Sequence, residues 1–424
     1  MTGATRPATP LGVPAPRPED PAGMPSASDL LVVGAGVMGT WTAFLAQAGG
    51  GRAVTLLDAF GAGHSRATSG DETRIIRASH GTDRFYTRWS RRARTMWLAY
   101  GEAWGVPLML PTGTLWFAAQ ADGYEARSAE SLAAEDVPFE RLSPEALTAR
   151  WPQISGRGLA WALYEPEGGT LMARRGCQAA TRAFQLAGGR YGLAGVRPGR
   201  SAGGRLLEVV GQDGRTWSAE TFVFACGPWL RWLFPEHLGS LIRVTKQDVI
   251  YVGPARGDDR FRPEAMPSWV EYTRAYYGVP AADDRGFKLA PDRYGPVFDP
   301  TEGERVVDPD AIRLARLYLG ERFPALALAP VVETRVCQYE TTPDSHFIID
   351  RLPGFENVWI AGGGSGHGYK HGPRIGEYLV ARLDGADLGA QDGPEEARFS
   401  IGPRTADPGA RTSGDEMADD WSPI

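Results

Sequence analysis

The spacing G-x-G-x-x-G, formed by Gly34, Gly36 and Gly39, most constrains what this chain of 424 residues can fold into. The motif lies between segments whose apolar patterns predict a strand over 30–33, a helix over 37–48 and a second strand over 54–57. Such a motif between a strand and a helix is typical of a dinucleotide-binding β-α-β unit. The sequence therefore predicts an α/β fold that begins near residue 29.

Each residue of the motif has a physical task. Gly34 makes the tight turn, Gly36 lets the main chain approach a pyrophosphate, and Gly39 lets the helix pack closely on the strand. The helix begins at Val37 and Met38, where its free amides and the positive end of its dipole favour bound phosphate. These five residues are predicted to bind the cofactor.

Asp58 ends the second predicted strand and is expected to accept hydrogen bonds from a ribose hydroxyl. A carboxylate at this place favours a ribose without a 2′-phosphate. Proteins that bind NAD and proteins that bind FAD share this unit, so the motif leaves the choice between them open.

Composition and charge exclude several classes of function. The formal net charge is −6 and most of the excess acid lies after residue 390, so no basic face predicts nucleic-acid binding. No apolar run is long enough to span a bilayer and no secretory signal is present, so no membrane association and a cytoplasmic location are expected. His367 and His371 are four residues apart but no third ligand accompanies them in the pattern, and no metal is predicted.

The three cysteines, Cys177, Cys226 and Cys337, form an odd number without short spacings. A disulfide framework is therefore not expected, and a reducing compartment is. We interpret Cys177 and Cys226 as packing residues. Cys337 differs because it opens the segment CQYETTPDSHFIID, which leads into an apolar strand and a run of glycines.

Four parts of the chain resemble one known family: GAGVMG (34–39), GDETRIIR (70–77), YYGVP with GFKL (276–289), and CQYETTPDSHFIID with AGGGSGHGYK (337–370). In these parts the chain resembles the sarcosine oxidase-like branch of the D-amino-acid-oxidase (DAO) family of FAD-dependent oxidoreductases. The resemblance covers about residues 29–387. It implies that the dinucleotide is FAD.

The pattern and the resemblance together predict a two-domain α/β (α+β) fold, with a Rossmann-like FAD-binding domain that is discontinuous in sequence and an inserted, mainly antiparallel substrate domain. The expected FAD-binding domain comprises 29–108, 170–240 and 335–387. The expected substrate domain comprises 109–169 and 241–334. Residues 1–28 and 388–424 are predicted to be a disordered arm and a disordered acidic tail, because neither segment has a periodic apolar pattern.

The resemblance implies a thioether between Cys337 and the 8α-methyl group of FAD, with arginines such as Arg335 helping to hold the thiolate. The glycine run lets main chain approach the flavin ring, and a helix that begins near Pro373 points its amides at the edge of that ring. The residues predicted to hold the ring are Thr73, Arg74, Cys337, Gly363, Gly364, Gly366, His367, Gly368 and Lys370.

Substrate-handling residues are also implied by the resemblance. Arg77 and Lys370 are expected to bind the carboxylate of an amino acid, and Lys288 is expected over the flavin N5, where it activates oxygen. Tyr277 and Tyr339 are expected to line the amine pocket. Arg74 and Arg77 are three residues apart, which would place both on one face of a helical turn.

The sequence departs from the sarcosine oxidase pattern at Asp292, which stands where that pattern has a histidine. A second histidine, expected near the start of TRIIR, is replaced in the region of Ser69 and Gly70. Asp292 either presents a negative charge to the substrate or pairs with Lys288 or Arg293. The substrate pocket is therefore not a copy of the sarcosine pocket.

These observations predict an oxidase that converts the C–N bond of a secondary, cyclic or N-alkyl amino acid into an imine and reduces O2 to H2O2. An alternative is a tailoring oxidase or dehydrogenase that acts on a larger natural-product amine or uses another electron acceptor. A non-catalytic dinucleotide sensor is disfavoured by the joint presence of Arg77, Lys288, Cys337 and Lys370. The expected partners are a small amine and O2, in a monomer or small homo-oligomer.

Overall fold

A computed structural model describes residues 16–386 and 397–405. Among these residues no helix is long and apolar enough to cross a membrane. The helices are Val37–Ala48 (α1), Arg84–Trp104 (α2), Tyr124–Ala134 (α3), Pro144–Arg150 (α4), Ala173–Leu186 (α5), Leu230–Leu233 (α6), Pro235–Leu238 (α7), Pro309–Arg322 (α8) and Gly372–Leu383 (α9).

The strands of the described residues follow the same chain order. They are Ala27–Val33 (β1), Val54–Asp58 (β2), Thr73–Ile76 (β3), Met109–Leu110 (β4), Thr114–Ala118 (β5), Glu140–Leu142 (β6), Trp161–Glu165 (β7), Gly169–Met172 (β8), Arg190–Leu193 (β9), Val196–Pro198 (β10), Ser201–Ala202 (β11), Arg205–Leu206 (β12), Glu208–Gly211 (β13), Thr216–Phe224 (β14), Arg243–Val252 (β15), Ser268–Glu271 (β16), Tyr276–Val279 (β17), Phe287–Pro291 (β18), Val331–Thr341 (β19), Ile348–Arg351 (β20) and Val358–Gly362 (β21).

The first sheet is built around parallel strands in the order β21, β14, β1, β2 and β9. Strands β13 and β10 extend it antiparallel from β14, and β20 pairs antiparallel with β21. Helix α1 follows β1 and packs against α5 and α9, which covers one face of this sheet. The predicted β-α-β unit is confirmed, because α1 spans Val37–Ala48 and β2 ends at Asp58.

The second sheet has the order β19-β15-β18-β17-β16-β5-β7-β6. All neighbouring strands in it are antiparallel except β16 and β5. The fold class predicted from sequence is thus confirmed. One boundary differs, because β19 pairs with β15 from Val331 to Thr341 and so places residues 335–341 in the second sheet. The other domain boundaries stay a prediction.

A small third sheet joins β3, β8 and β4. Its strand β3 contains the TRII of TRIIR, so the expected helical turn at Arg74 and Arg77 is wrong. Residues 73–76 are extended because they pair antiparallel with 169–172. The β-branched side chains of Ile75 and Ile76 suit such a strand. Arg74 and Arg77 are three residues apart, a spacing that points side chains to opposite faces of an extended chain. Both line the same cleft, because Arg74 lies within β3 and Arg77 lies just after it.

Both termini contain ordered segments where disorder was predicted. Glu19 donates its backbone N–H to the carbonyl oxygen of Tyr191, and Met24 is 7% exposed within the core, so the prediction of a disordered arm is wrong for residues 19–28. Phe399 is 1% exposed, and Arg404 pairs with Asp344 at 2.9 Å, so the prediction is also wrong for residues 397–405. Residues 1–15, 387–396 and 406–424 lie outside the described residues.

Candidate active site

One cleft brings together most of the residues that the sequence analysis selected. It is bounded by the N-terminus of α1, the segment 68–77, strand β19 and the loop after β21. The selected residues that line the cleft are Gly36, Val37, Met38, Arg74, Arg77, Tyr277, Asp292, Cys337, Tyr339, Gly364, Gly366, His367, Gly368 and Lys370.

A second cavity adjoins the cleft at the carboxyl ends of β1 and β2. Gly34 and Asp58 line it. The two cavities form one elongated slot, because they share the lining residues Gly36, Thr68, Ala225 and Gly227. A slot at the ends of parallel strands and the start of a helix has the shape and polarity that an extended dinucleotide requires.

Two glycines of the motif lie so close to neighbouring main chain that no side chain would fit there. A Cβ atom at Gly34, where φ is +105°, would overlap the carbonyl oxygen of Ala225, and a Cβ atom at Gly39 would overlap the carbonyl oxygen of Gly34. These contacts confirm the close packing expected of the motif. The amide of Val37 donates to Oγ of Ser69 at 3.1 Å, so Ser69 holds the first turn of α1 at the wall of the cleft.

The Asp58 carboxylate is bound by main-chain amides. Its Oδ2 accepts from the N–H of Ala35 at 2.6 Å, and its Oδ1 accepts from those of Phe60 and Gly61 at 2.7 Å and 2.6 Å. Burial raises the pKa of Asp58, and the three amides act in the opposite direction. Asp58 therefore lines the second cavity from a rigid position, and its bond to a ribose stays a prediction.

Four selected residues, Gly39, Thr73, Gly363 and Lys288, are absent from the described lining of both cavities. Thr73 is 4% exposed, and its carbonyl oxygen accepts from Lys288 at 3.0 Å and from Arg74 at 2.7 Å. Gly363 has a φ of +65°, which favours glycine at that bend. Thr73 and Gly363 thus support the site through their main chain, and their contact with the cofactor stays a prediction.

Cys337 lies on β19 with its sulfur at the wall of the cleft. The Nη2 atom of Arg74 donates to Sγ of Cys337 at 3.6 Å. The expectation that Arg335 would help to hold this thiol is wrong, because the Arg335 guanidinium binds the Glu72 carboxylate at 2.9 Å. Arg335 and Cys337 are two residues apart on β19 and so point to the same face, but Glu72 and Glu333 hold the Arg335 side chain, and Arg74 is the cation that contacts the sulfur.

Arg74 keeps its charge although it is buried. Burial lowers the pKa of Arg74, but Cys337 and Asp71 more than offset that effect and hold its pKa above the usual value. Reactive cysteines are typically found beside such a cation. Cys337 is thus in a site suited to nucleophilic attack.

The other two cysteines lie in different surroundings. Burial raises the pKa of the Cys177 thiol to about 12 and raises that of Cys226 as well. Cys177 is completely buried against the helix core, and Cys226 donates to the carbonyl oxygen of Val33 at 3.4 Å. Both remain thiols, which agrees with their interpretation as packing residues.

Lys288 is 1% exposed on β18, and its ammonium group binds the carboxylate of Asp71. Asp71 is among the residues that line the cleft, whereas the described lining does not include Lys288. Burial lowers the pKa of Lys288, and Asp71 acts against that effect. Lys288 is therefore connected to the cleft through a carboxylate that the sequence analysis did not select.

Lysine is rare in this chain, and its placement is informative. Three of the 45 basic residues are lysines: Lys246, Lys288 and Lys370. Lys246 is paired with Asp248 at 3.1 Å on β15, outside the cleft. Lys370 lines the cleft, and Lys288 is bound to Asp71 at its wall. In a chain that otherwise uses arginine, these two places select a compact ammonium ion.

Arg77 and Lys370 enter the cleft from two different elements. Arg77 follows β3, donates to the carbonyl oxygen of Ser79, and lies 4.7 Å from the centre of the Trp116 ring. Lys370 is 3% exposed in the turn before α9, and its Nζ donates to the carbonyl oxygen of His367 at 3.0 Å. The structure therefore gathers the two cations that were predicted to bind a carboxylate.

The tyrosines lie on the opposite side of this site, on strands of the second sheet. Nζ of Lys288 is 5.8 Å from the centre of the Tyr277 ring, and burial raises the pKa of Tyr277. The hydroxyl of Tyr339 donates to Oδ1 of Asp292 at 3.1 Å. Lys288 binds Asp71, so the proposed pairing of Asp292 with Lys288 is not needed to neutralise that lysine. Asp292 is 9% exposed and lines the cleft.

Glu340 is a second acid that the sequence analysis did not select. It is 5% exposed and lines the cleft, and among the described residues its Oε2 atom has no hydrogen-bond partner. Burial raises the pKa of Glu340 to about 8, although amides of Gly363 and Gly364 lower it. The side chain is therefore a neutral carboxylic acid near pH 7, with an O–H group available as a donor.

His367 and His371 do have a neighbour of the same kind. His80, which the local sequence pattern does not place beside them, joins the pair, and ring nitrogens of all three lie within 4.8 Å of one another. Burial lowers the pKa of His80, and Arg77 and Lys370 lower it further. The same two cations oppose a divalent ion between the rings, and we assign no metal to this cluster.

Comparison with known proteins identifies the family. Residues 29–382 match the family model described as "DAO: FAD dependent oxidoreductase".

This chain belongs to the DAO family of FAD-dependent oxidoreductases.

Two relatives and one solved structure illustrate the family relationship. Peroxisomal sarcosine oxidase from Homo sapiens is 28% identical over 363 residues, which cover 83% of this chain and 90% of the relative. N-methyl-L-tryptophan oxidase from Salmonella enteritidis is 26% identical and covers 82% and 92%. The crystal structure of L-proline dehydrogenase from P. horikoshii has a TM-score of 0.77 at 20% identity, covering 87% and 96%. That structure shares the fold.

The slot of this DAO-family chain fits an FAD molecule. The second cavity begins at the glycine motif, and the cleft continues from it through shared residues to Cys337. Main chain without a side chain lines the cleft at Gly364, where a Cβ atom would lie 3.2 Å from Oε1 of Glu340. The unpartnered Oε2 atom of Glu340 adds a polar contact for a bound molecule.

Sequence reasoning missed Asp71, Glu340, Thr68 and Ser69, although all four line the cleft. A signal was present for the two acids. Asp71 stands three residues before Arg74, and Glu340 directly follows Tyr339 in a segment already selected. Acids so close to predicted site residues are candidates for the same site. Their roles depend on long-range partners, and for Asp71 that partner is Lys288, which is 217 residues away.

Proposed function

We propose that this DAO-family chain oxidises the C–N bond of a secondary, cyclic or N-alkyl amino acid to an imine and reduces O2 to H2O2. One observation carries the proposal: the cations Arg77 and Lys370 line the same cleft as Tyr277 and Cys337. A cationic pair beside a predicted flavin site suits a small amine that bears a carboxylate. The names of the sarcosine and N-methyltryptophan oxidase relatives agree with this substrate class.

The residues that would hold FAD come from both cavities. Gly34, Gly36, Val37, Met38 and Asp58 would bind its nucleotide half. The residues that would hold its ring are Arg74, Cys337, Gly364, Gly366, His367, Gly368 and Lys370. When bound, FAD supplies an acceptor for two electrons from the carbon next to the substrate nitrogen.

The carboxylate of the substrate would be bound by Arg77 and Lys370. Arg77 offers a planar fork that can donate two parallel hydrogen bonds, and Lys370 offers a point charge. Arg77 is 5% exposed and Lys370 is 3% exposed, so little water competes with these bonds. Binding the carboxylate at a fixed place orients the carbon and nitrogen to be oxidised.

The substrate amine must be neutral in order to react. Three cations, Arg74, Arg77 and Lys370, line the cleft and disfavour another positive charge there, which lowers the pKa of a bound amine. Tyr277 and Tyr339 line the amine side and exclude water from it. These residues thus bind, orient and help to deprotonate the substrate.

Lys288 is proposed to serve the reaction with oxygen. An ammonium ion stabilises the negative charge that develops on oxygen as it accepts electrons. Lys288 is buried, where such a charge acts more strongly than in water. The presence of a lysine at position 288, in a chain with three lysines, supports this role.

Cys337 is proposed to bind FAD covalently, by a bond from its sulfur to the 8α-carbon. Such a bond would require the loss of one hydrogen each from the thiol and the methyl group, with O2 as the two-electron oxidant. The Arg74 guanidinium, 3.6 Å from the sulfur, places a positive charge where the bond would form.

A second candidate keeps the same chemistry but acts on a larger amine. Asp292 favours it, because this buried carboxylate lines the cleft where the sarcosine oxidase pattern has a histidine. A cationic or hydrogen-bonding side chain of a larger substrate could bind Asp292, whereas sarcosine has no such group.

The test is a two-part screen of the purified full chain. Primary, N-methyl and cyclic amino acids are tested first for anaerobic bleaching of the flavin and then for peroxide in air. Amines that lack the carboxylate serve as matched controls and should react at least tenfold more weakly. Bleaching without peroxide would identify a dehydrogenase. The absence of bleaching by any amino acid would contradict the proposed function.

A further inference from the structure

Asp71 connects two cations, Arg74 and Lys288, at the wall of the cleft. It is 4% exposed, and its Oδ2 accepts from Nη1 of Arg74 at 3.1 Å and from Nζ of Lys288. Its Oδ1 accepts from the hydroxyl of Tyr251 at 2.6 Å and from the backbone N–H of Glu72 at 2.8 Å. Both oxygens of the carboxylate are therefore fully occupied.

The position of Lys288 is determined by its strand neighbours. Lys288 lies directly opposite Tyr251 where β18 pairs with β15. Both residues bind Asp71, Tyr251 through one oxygen and Lys288 through the other. The carbonyl oxygen of Thr73 accepts a second bond from Lys288 at 3.0 Å. The ammonium group thus has a defined place, and Asp71 is its charged partner there.

Other groups near Lys288 oppose its charge or do little to support it. The titratable and charged groups that face it are Asp71 and Arg74 at β3, Tyr251 on β15, Tyr277 on β17, and Arg335 and Cys337 on β19. Arg74 is a cation that donates to Oδ2 of Asp71, the oxygen that also binds Lys288. Nη1 of Arg335 is 3.6 Å from the other oxygen, Oδ1. Without Asp71, the Lys288 ammonium would lie near the guanidinium groups of Arg74 and Arg335, and lysine is the one of the three that can release its proton.

We propose that Asp71 is the positioning residue of this site, because its carboxylate keeps Lys288 as an ammonium ion and fixes it at the wall of the cleft. The inference deepens the proposed function, on which its consequence for oxygen rests. Burial lowers the pKa of Lys288 and Asp71 raises it, which agrees with this role. In Asp71→Asn the proton of Lys288 should therefore be lost at a lower pH.

The scarcity of lysine makes this measurable in the intact protein. Full-length holoprotein with 13C at the lysine ε-carbons should give three signals, one each for Lys246, Lys288 and Lys370. The variants Lys246→Arg and Lys288→Met assign them. In wild type the Lys288 signal should be that of an ammonium ion at pH 8. In Asp71→Asn its midpoint should fall by at least one pH unit, which is a tenfold change in acidity, while that of Lys246 stays in place.

Two further measurements complete the test. One keeps it decisive if Asp71→Asn does not fold, and the other examines the link to catalysis. Asp71→Glu retains the charge and should keep the wild-type midpoint. Photoreduced Asp71→Asn, mixed with oxygen without any amine, should reoxidise at least tenfold more slowly than wild type at pH 8, with a smaller deficit at pH 6.

An unchanged midpoint in Asp71→Asn, or a neutral Lys288 in wild type at pH 8, would overturn the proposal. A shifted midpoint with an unchanged rate of reoxidation would overturn the role in the oxygen reaction. Failure of the wild type to oxidise any amine contradicts the proposed function instead, and leaves the lysine titration readable.

Discussion

The Nη2 atom of Arg74 lies 3.6 Å from Sγ of Cys337, across the boundary between the small third sheet and β19. This contact places a permanent cation beside the one cysteine that opens into the cleft. Arg74 is itself held by the carbonyl oxygen of Thr68 at 2.6 Å and by Asp71. The thiol therefore lies beside a guanidinium whose own position is fixed by these contacts.

Cys337→Ala should release the flavin of this chain. Acid-precipitated wild type should stay yellow because its flavin is covalently bound, whereas the supernatant of the variant should take the colour. Cys226→Ala is the matched control, since Cys226 lines the second cavity, away from Arg74. Loss of all colour from precipitated wild type would contradict the covalent link.

Lys288→Met should slow reoxidation more than substrate oxidation. Removing one well-placed charge costs on the order of 100-fold or more in rate, and the loss should appear in the reaction of reduced enzyme with oxygen. Anaerobic reduction by the best amine should change much less. Lys246→Met is the control, because Lys246 lies outside the cleft. Equal losses in both half-reactions would count against this assignment.

Asp292→Asn should alter substrate preference. A buried hydrogen bond to a charged group contributes roughly 1.5–3 kcal/mol, which is about tenfold or more in kcat/KM. The variant should lose this factor for the best substrate and less for sarcosine or N-methylalanine. Tyr339→Phe, which removes a donor to Asp292 and keeps the ring, is the matched comparison. A uniform loss for all substrates would mean that Asp292 does not govern specificity.

Glu340→Gln should reduce the pH dependence of stability. Burial raises the pKa of Glu340 to about 8 in the folded state, so between about pH 4.5 and pH 8 the folded chain binds a proton that the unfolded chain releases. The free energy of unfolding therefore falls as pH rises through this window, by a few kcal/mol at most. The stabilising contribution of the neutral Glu340 side chain is fully present below about pH 4.5.

Thermal unfolding at intervals from pH 5 to pH 8 measures this effect. The midpoint of wild type should fall by a few degrees more than that of Glu340→Gln, which is neutral throughout. Parallel curves for the two proteins would show that Glu340 is ionised in the folded state.

Local sequence determined the framework of this protein. The glycine motif, α1 and the end of β2 at Asp58 are specified by residues within one β-α-β unit, where apolar periodicity and turn chemistry act over short separations. The start of α9 at Gly372, next to Pro373, is specified in the same local way. The segment around Cys337 was selected from its own residues and a family resemblance.

Tertiary structure decided which charges meet. TRIIR is a strand and not a helical turn because pairing with 169–172 outweighs the spacing of its arginines. Arg74, not Arg335, contacts Cys337, and Asp71, not Asp292, holds the Lys288 ammonium. These pairs join residues more than 200 positions apart, so they depend on the register of the sheets. Electrostatic attraction acts through distance in space, which local sequence patterns do not contain.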